Sequence, residues 1–143
     1  MIIAEGSWGR VAATRRVGKA LVRLLESSQE KERKKAVAIT ELCNQLAHGK
    51  RINNKEKFRK ENGFWALKAW QHRFYAVKRT LTGENFWILV DYDRKKQDQF
   101  RRSVRDRVEK RIGRLDQMNT AELLAELLEE PQDGYGSPSG GKK

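Results

Sequence analysis

Apolar positions along this chain follow two periods, and the switch between them separates helices from strands. The opening "MIIAEGSW" reads as a short strand closed by the Gly6–Ser7 turn signal. From Val11 to Glu26, the residues Val17, Ala20, Leu21, Leu24 and Leu25 recur at helical spacing, with Arg15, Arg16, Lys19 and Arg23 mostly off that stripe. Ser27 and Glu30 fit a capping box, which satisfies free amide donors at the start of a second helix. Ala36, Ile39, Leu42, Cys43 and Leu46 give this helix a buried face, and Gly49 is a natural terminator. Two consecutive amphipathic helices with a short joint predict a helical hairpin whose apolar side covers a sheet.

After the polar, basic connection "KRINNKEKFRKENG" the pattern becomes strand-like. "FWALKAW", "HRFYAVKR" and "NFWILVDY" are three candidate strands, the last two joined by "TLTGEN", whose glycine suits a hairpin turn. "FWILV" is too continuously apolar for a solvent-washed strand, so it is expected at the centre, buried on both faces. Helical period returns from Gln97 to Leu115, where Phe100, Val104, Val108 and Ile112 leave the arginines on the other flanks. A separate short helix, "NTAELLAELLEE", follows with Asn119 or Thr120 as its cap. It is acidic in a basic chain, and Leu123, Leu124, Leu127 and Leu128 line one side of it. That combination predicts a helix that folds back on the protein's own basic cleft or, preferably, docks a partner protein, rather than one that joins the core. "PQDGYGSPSGGKK" is a flexible tail by composition. The expected organisation is an α+β domain over 1–115, an accessory acidic helix over 116–130 and a tail over 131–143.

Charge changes this picture from a fold to a partner. Lysine and arginine number 31 against 19 acidic residues, a net charge of +12 in 143 residues. A charged thermophile surface raises both signs together, whereas this excess is one-sided. It favours a polyanion, because each neutralised phosphate releases counterions. With one cysteine, Cys43, no intrachain disulfide can form, and a reducing compartment is expected. No run approaches the ~20 apolar residues of a membrane span. The N-terminus lacks the basic start and long apolar stretch of a secretory signal. A cytoplasmic protein with no membrane partner is the expectation. No metal-ligand spacing, Gly-rich phosphate loop or nucleophile elbow occurs, and two histidines with one cysteine do not make an ordinary zinc site. Neither metal nor cofactor is expected.

The most distinctive stretch is "FWALKAWQHRFYAVKR", aromatic and basic at once. Its residues suit half-buried strands, and Trp65, Trp70 and Trp87 read first as core or interface aromatics. Together with Lys57–Lys60 ("KFRK"), Gly63–Lys68, Gln71–Tyr75 and Val90–Lys96, it resembles the RelE/ParE toxin superfamily. The likeness is closest to the HigB and phage-derived Gp49-like branch and covers about residues 30–112. It implies a RelE-like twisted antiparallel sheet packed against a helical hairpin, with C-terminal helices. The implied activity is that of a toxin: metal-independent cleavage of ribosome-associated messenger RNA, restrained by a small antitoxin. By the resemblance, Arg73 matches the arginine that contacts the scissile phosphate, and Lys68 the basic position on the preceding strand. Asp91 and Tyr92 fall on the family's "D-Y-H" element, and Lys95 and Lys96 on the basic pair after it. The implied reaction is attack of the ribose 2′-hydroxyl on phosphorus, with cations stabilising the phosphorane and another group moving protons.

The chain departs from the pattern at Asp93, which stands where the HigB branch has histidine. His72 adjoins Arg73, but neighbouring strand residues point to opposite faces. Candidate RNA contacts are Lys57, Arg59, Lys60, His72, Lys96, Arg101, Arg102 and Arg105. The alternative expectation is a catalytically inactive RelE fold, such as a phage would encode, that binds host RNA polymerase, gyrase or the ribosome. Fold alone does not choose between them.

Overall fold

In a computed structural model, which describes residues 1–94 and 102–129, the two kinds of segment form a six-stranded sheet with helices on both faces. The elements are β1 (Ile2–Glu5), β2 (Arg10–Ala13), α1 (Arg15–Leu25), α2 (Glu30–Ala47), β3 (Phe58–Lys60), β4 (Trp65–Ala69), β5 (His72–Leu81), β6 (Glu84–Arg94), α3 (Arg102–Gln117) and α4 (Thr120–Leu128). The strand order is β1-β2-β6-β5-β4-β3. The α+β class is as expected, but the sheet is mixed rather than antiparallel. Val11 lies opposite Trp87 and Ala13 opposite Leu89 in a parallel pairing of β2 with β6. Strands that run in the same direction need a long crossover, and α1, α2 and the antiparallel strands supply it.

β2 replaces what the sequence pattern gives as the first turn of a helix. Val11, Ala12 and Ala13 carry no decisive period, and alanine is the best helix former. Pairing with β6 wins because it buries all three residues. The capping box at Ser27 is also absent. The residue at the N-cap position is Gln29, whose own N–H donates to Ser27 Oγ at 3.1 Å. Gly49 does end α2: at φ 72° it lets its N–H reach Leu46 O at 3.0 Å and that of Lys50 reach Gln45 O at 3.0 Å. This is the paired bonding of a helix closed by a left-handed residue. At the β5–β6 hairpin, Thr82 and Gly83 both have positive φ, the turn that matches strand twist.

One face of the sheet packs Leu67, Phe74, Ala76 and Leu89 under Val17 and Leu21 of α1 and Ile39, Leu42 and Leu46 of α2. The other packs Phe64, Tyr75, Phe86 and Ile88 under Val104, Val108 and Leu115 of α3 and Leu123 and Leu127 of α4. β6 lies between β2 and β5 with both faces covered, as its apolar run predicts. A register shift between Tyr75 and Ala76 leaves Val90 as an extra residue on β6. Alternation is thereby reset, so Val90 and Asp91 both turn toward α3.

The acidic helix requires a correction. Its cap is Asn119, whose side chain and that of Glu122 exchange bonds with each other's backbone N–H at 2.8 and 2.9 Å. Leu127 is fully buried and Leu123 nearly so, leaving Leu124 half-buried and Leu128 46% exposed. α4 is therefore part of the core on the second face, because Ala12, Phe86 and Ile88 would otherwise meet water. The expected boundary at 115/116 falls inside α3, and the tail expected over 131–143 lies outside the described residues. No described helix is long and apolar enough to cross a membrane. Cys43 is buried among apolar side chains, and this pushes its thiol up to about 12. It is unsuited to act as a nucleophile.

Candidate nucleic-acid interface

The basic connection after α2 folds back on itself, and a groove forms where it does. Asn54 makes the reversal: its backbone carbonyl accepts from the N–H of Lys57 (3.0 Å) and Phe58 (2.9 Å), and its Oδ1 accepts from the N–H of Glu56 at 2.9 Å. Lys68 N–H then donates to Lys57 O at 2.8 Å, fastening the loop to β4. Between this loop, α2 and the end of β4 lies a groove of about 660 Å³, with Arg51, Lys57, Lys68 and Arg73 in its lining against Glu41 and Glu56. At its mouth, the β4–β5 turn holds Trp70 at φ 56°, uncommon for a bulky residue, with the side chain 68% exposed. The Arg73 guanidinium donates to the carbonyls of Trp70 and His72, which fixes that turn. The exposed Arg51 and Lys57, the half-buried Lys68 and an exposed indole make a surface on which phosphates can pair with charge and a base can stack.

Of the predicted catalytic residues, Lys68 and Arg73 are brought together: they are directly opposite on β4 and β5. Tyr92 and His72 go to the other face of the sheet. His72 is buried there, with Nε2 at 2.8 Å from Glu32 and Nδ1 at 2.6 Å from the Tyr92 hydroxyl. Because a carboxylate only accepts, Nε2–H donates to Glu32 and the Tyr92 hydroxyl donates to Nδ1, which satisfies a neutral imidazole. Burial lowers the His72 pKa from 6.5 against the pull of Glu32, whereas the bond from His72 lowers that of Glu32. Burial raises the Tyr92 hydroxyl. These three side chains join α2 to the sheet. His72 is consequently not an RNA contact, and Tyr92 does not share a cleft with Arg73.

Asp91 is equally unlike its expected role. It is 1% exposed, and its carboxylate accepts from Arg107 Nε at 2.8 Å and from the Tyr92 backbone N–H at 2.8 Å. Arg111 Nε lies 3.3 Å and Arg16 Nη1 3.4 Å from it. Buried charge persists when paired and hydrogen-bonded, and this cluster ties α1 and α3 to β6. Within the predicted RNA-binding set, Lys57 lines the groove. Arg59 and Lys60 are exposed on the edge strand β3, Arg59 paired with Glu61 at 3.2 Å. On α3, Arg102 is exposed and Arg105 half-buried, and neither lines the groove. Lys95, Lys96 and Arg101 lie outside the described residues.

Arg51 and Trp70 line the groove without having been among the candidate site residues, and Trp70, expected as a core or interface aromatic, is exposed. A two-residue turn between two strands that contains tryptophan is a detectable signal for Trp70. Nothing local announces Glu32 as the partner of a histidine 40 positions away. No protein-family model, curated protein or solved structure matches the chain. What the residues do chemically must come from their geometry. Cations converge on the groove, while the imidazole and phenol suited to proton transfer are bound to each other elsewhere. Such an arrangement can hold phosphate.

Proposed function

We propose that this protein binds single-stranded RNA in the groove between α2 and β4, as a RelE-like domain adapted for binding rather than cleavage. The observation that carries the reading is the placing of the exposed Arg51 and Lys57, with the half-buried Lys68, beside the exposed Trp70. In this reading the targets are RNA-containing host machines such as the ribosome. The test is titration of a fluorescent single-stranded RNA at increasing salt. Each neutralised phosphate on a single strand contributes about −0.7 to the slope of log K against log salt, so two to three contacts give about −1.4 to −2. Absent binding at low salt, or a flat salt response, would contradict the proposal.

One observation favours a second reading, that of a metal-independent endoribonuclease. Lys68 and Arg73 form a cross-strand pair of cations in the same groove as Glu41 and Glu56. Two cations stabilise a dianionic phosphorane, and a carboxylate is a general base. Cleavage of ribosome-bound or free RNA in the presence of a chelator, leaving 2′,3′-cyclic phosphate ends, would select this reading. Bound but intact RNA selects the first.

A further inference from the structure

Beside the groove lies a second cavity, of about 430 Å³, whose lining includes three tryptophans. Such a volume is in the range of ordinary small-molecule sites. Trp87 forms the floor and is 5% exposed, whereas Trp8, Trp65 and Phe58 are partly exposed around it. Trp65 meets Trp87 edge to face with ring centroids 5.0 Å apart, and Phe58 does so at 5.7 Å. Trp8 is inclined at 42° to Trp87 with centroids 6.3 Å apart.

The walls are set in advance. The Trp8 N–H donates to Ala47 O at 2.9 Å, and Asn85 Nδ2 donates to Trp8 O at 3.1 Å. Gly49 passes so close that a Cβ there would approach the Trp8 Cβ to 3.2 Å. These bonds fix the Trp8 backbone, and a wall whose backbone is fixed loses less freedom when a ligand enters.

Charge selects the ligand class. Lys78 Nζ stands 5.2 Å from the Trp87 ring centre and 5.6 Å from that of Trp65. The cation–π position is already occupied, so a methylated lysine or other cation would meet a like charge. A flat, uncharged ring attached to an anion fits instead, with the ring on the indoles and the anion toward Lys78 and the exposed Lys50 and Arg51. The cavity also adjoins the groove, since Arg51, Ile52 and Asn53 line both.

We infer that this aromatic cavity is a nucleobase pocket, which receives a base flipped from the RNA strand lying in the groove. The inference rests on the RNA-binding reading above. A strand that follows Arg51 from one cavity to the other places its phosphates on the cations and one base among the tryptophans.

The experiment compares an oligoribonucleotide with its abasic counterpart, titrated against the Trp70→Asn protein. That variant removes the groove's own stacking surface and places in the turn a residue tolerant of positive φ. Base–aromatic stacking predicts that the base-bearing RNA binds about 5- to 100-fold more tightly than the abasic strand. Adding Trp65→Ala is expected to close that gap while leaving the salt slope in place. If the two RNAs bind Trp70→Asn equally, with the usual salt dependence, the pocket assignment is overturned and the groove reading stands. If neither RNA binds even at low salt, both fall. Should the doubly substituted protein not fold, the comparison in Trp70→Asn alone decides.

Discussion

Two clusters of cations in this molecule look alike in sequence and behave as opposites in the fold. Around Asp91, Arg16, Arg107 and Arg111 converge on one buried carboxylate and are used to join α1 and α3 to the sheet. In the groove, the exposed Arg51 and Lys57 open toward solvent beside Trp70, with the half-buried Lys68 behind them and Glu41 and Glu56 as acids in the lining. The basic helix, with the denser run of arginine, therefore spends part of its charge internally. The sparser loop and strand residues make the binding surface. Density of charge along a sequence measures neither availability nor direction; the position of the acids does.

The sharpest way to break this contrast is Asp91→Asn. It leaves three guanidinium groups around a neutral amide, and unpairing a buried ion pair costs about 3–5 kcal/mol. A fall of that size in urea-unfolding free energy, with RNA affinity of the folded protein unchanged, is the expected outcome. Loss of RNA affinity without loss of stability would reverse the roles of the two clusters. Next in size is the second-face core. Leu127→Ala is expected to cost about 2–5 kcal/mol, whereas Leu128→Ala, at a half-exposed site, should stay within about 0.5 kcal/mol. Equal, small effects would return α4 to the partner-docking role that its leucines suggest.

A smaller effect concerns His72. Its pKa in the folded protein lies below 6.5, so the unfolded chain takes up a proton first as pH falls. Its contribution to stability is present above about 6.5 and is lost as pH drops through the lowered value. Glu32, also lowered, acts in the same direction further into acid, below 4.5. Thermal midpoints should decline from about pH 7 to pH 5, and His72→Gln should flatten that decline. An unchanged pH profile in the variant would show that the imidazole is not the group responsible.

The elements legible in the sequence were those with strong periods: α2, the three long strands, the β5–β6 hairpin and the central position of β6. The parts that escaped depended on distant partners. β2 is four residues whose strand character comes from β6, 76 positions further along at Arg10↔Phe86, and β3 is three residues embedded in a polar loop. Lys68 and Arg73 could be read from a hairpin register that local turn chemistry sets. The separation of Tyr92 from Arg73 follows from strand alternation, and the burial of Asp91 from one bulge at Tyr75 and Ala76. A one-residue change in register moves a side chain between faces, so a motif read as consecutive letters divides between two cores.

The central claim is that the groove, not the basic helix, receives phosphates. It is tested most directly by the salt dependence of single-stranded RNA binding in two double variants, Arg51→Ala with Lys57→Ala and Arg102→Ala with Arg114→Ala, against the wild type. All four residues are exposed, so both variants are expected to fold. The groove variant should lose about 1.4 from the magnitude of the slope, two phosphates' worth, while the α3 variant keeps the wild-type slope. A slope that falls in the α3 variant and holds in the groove variant would contradict the account.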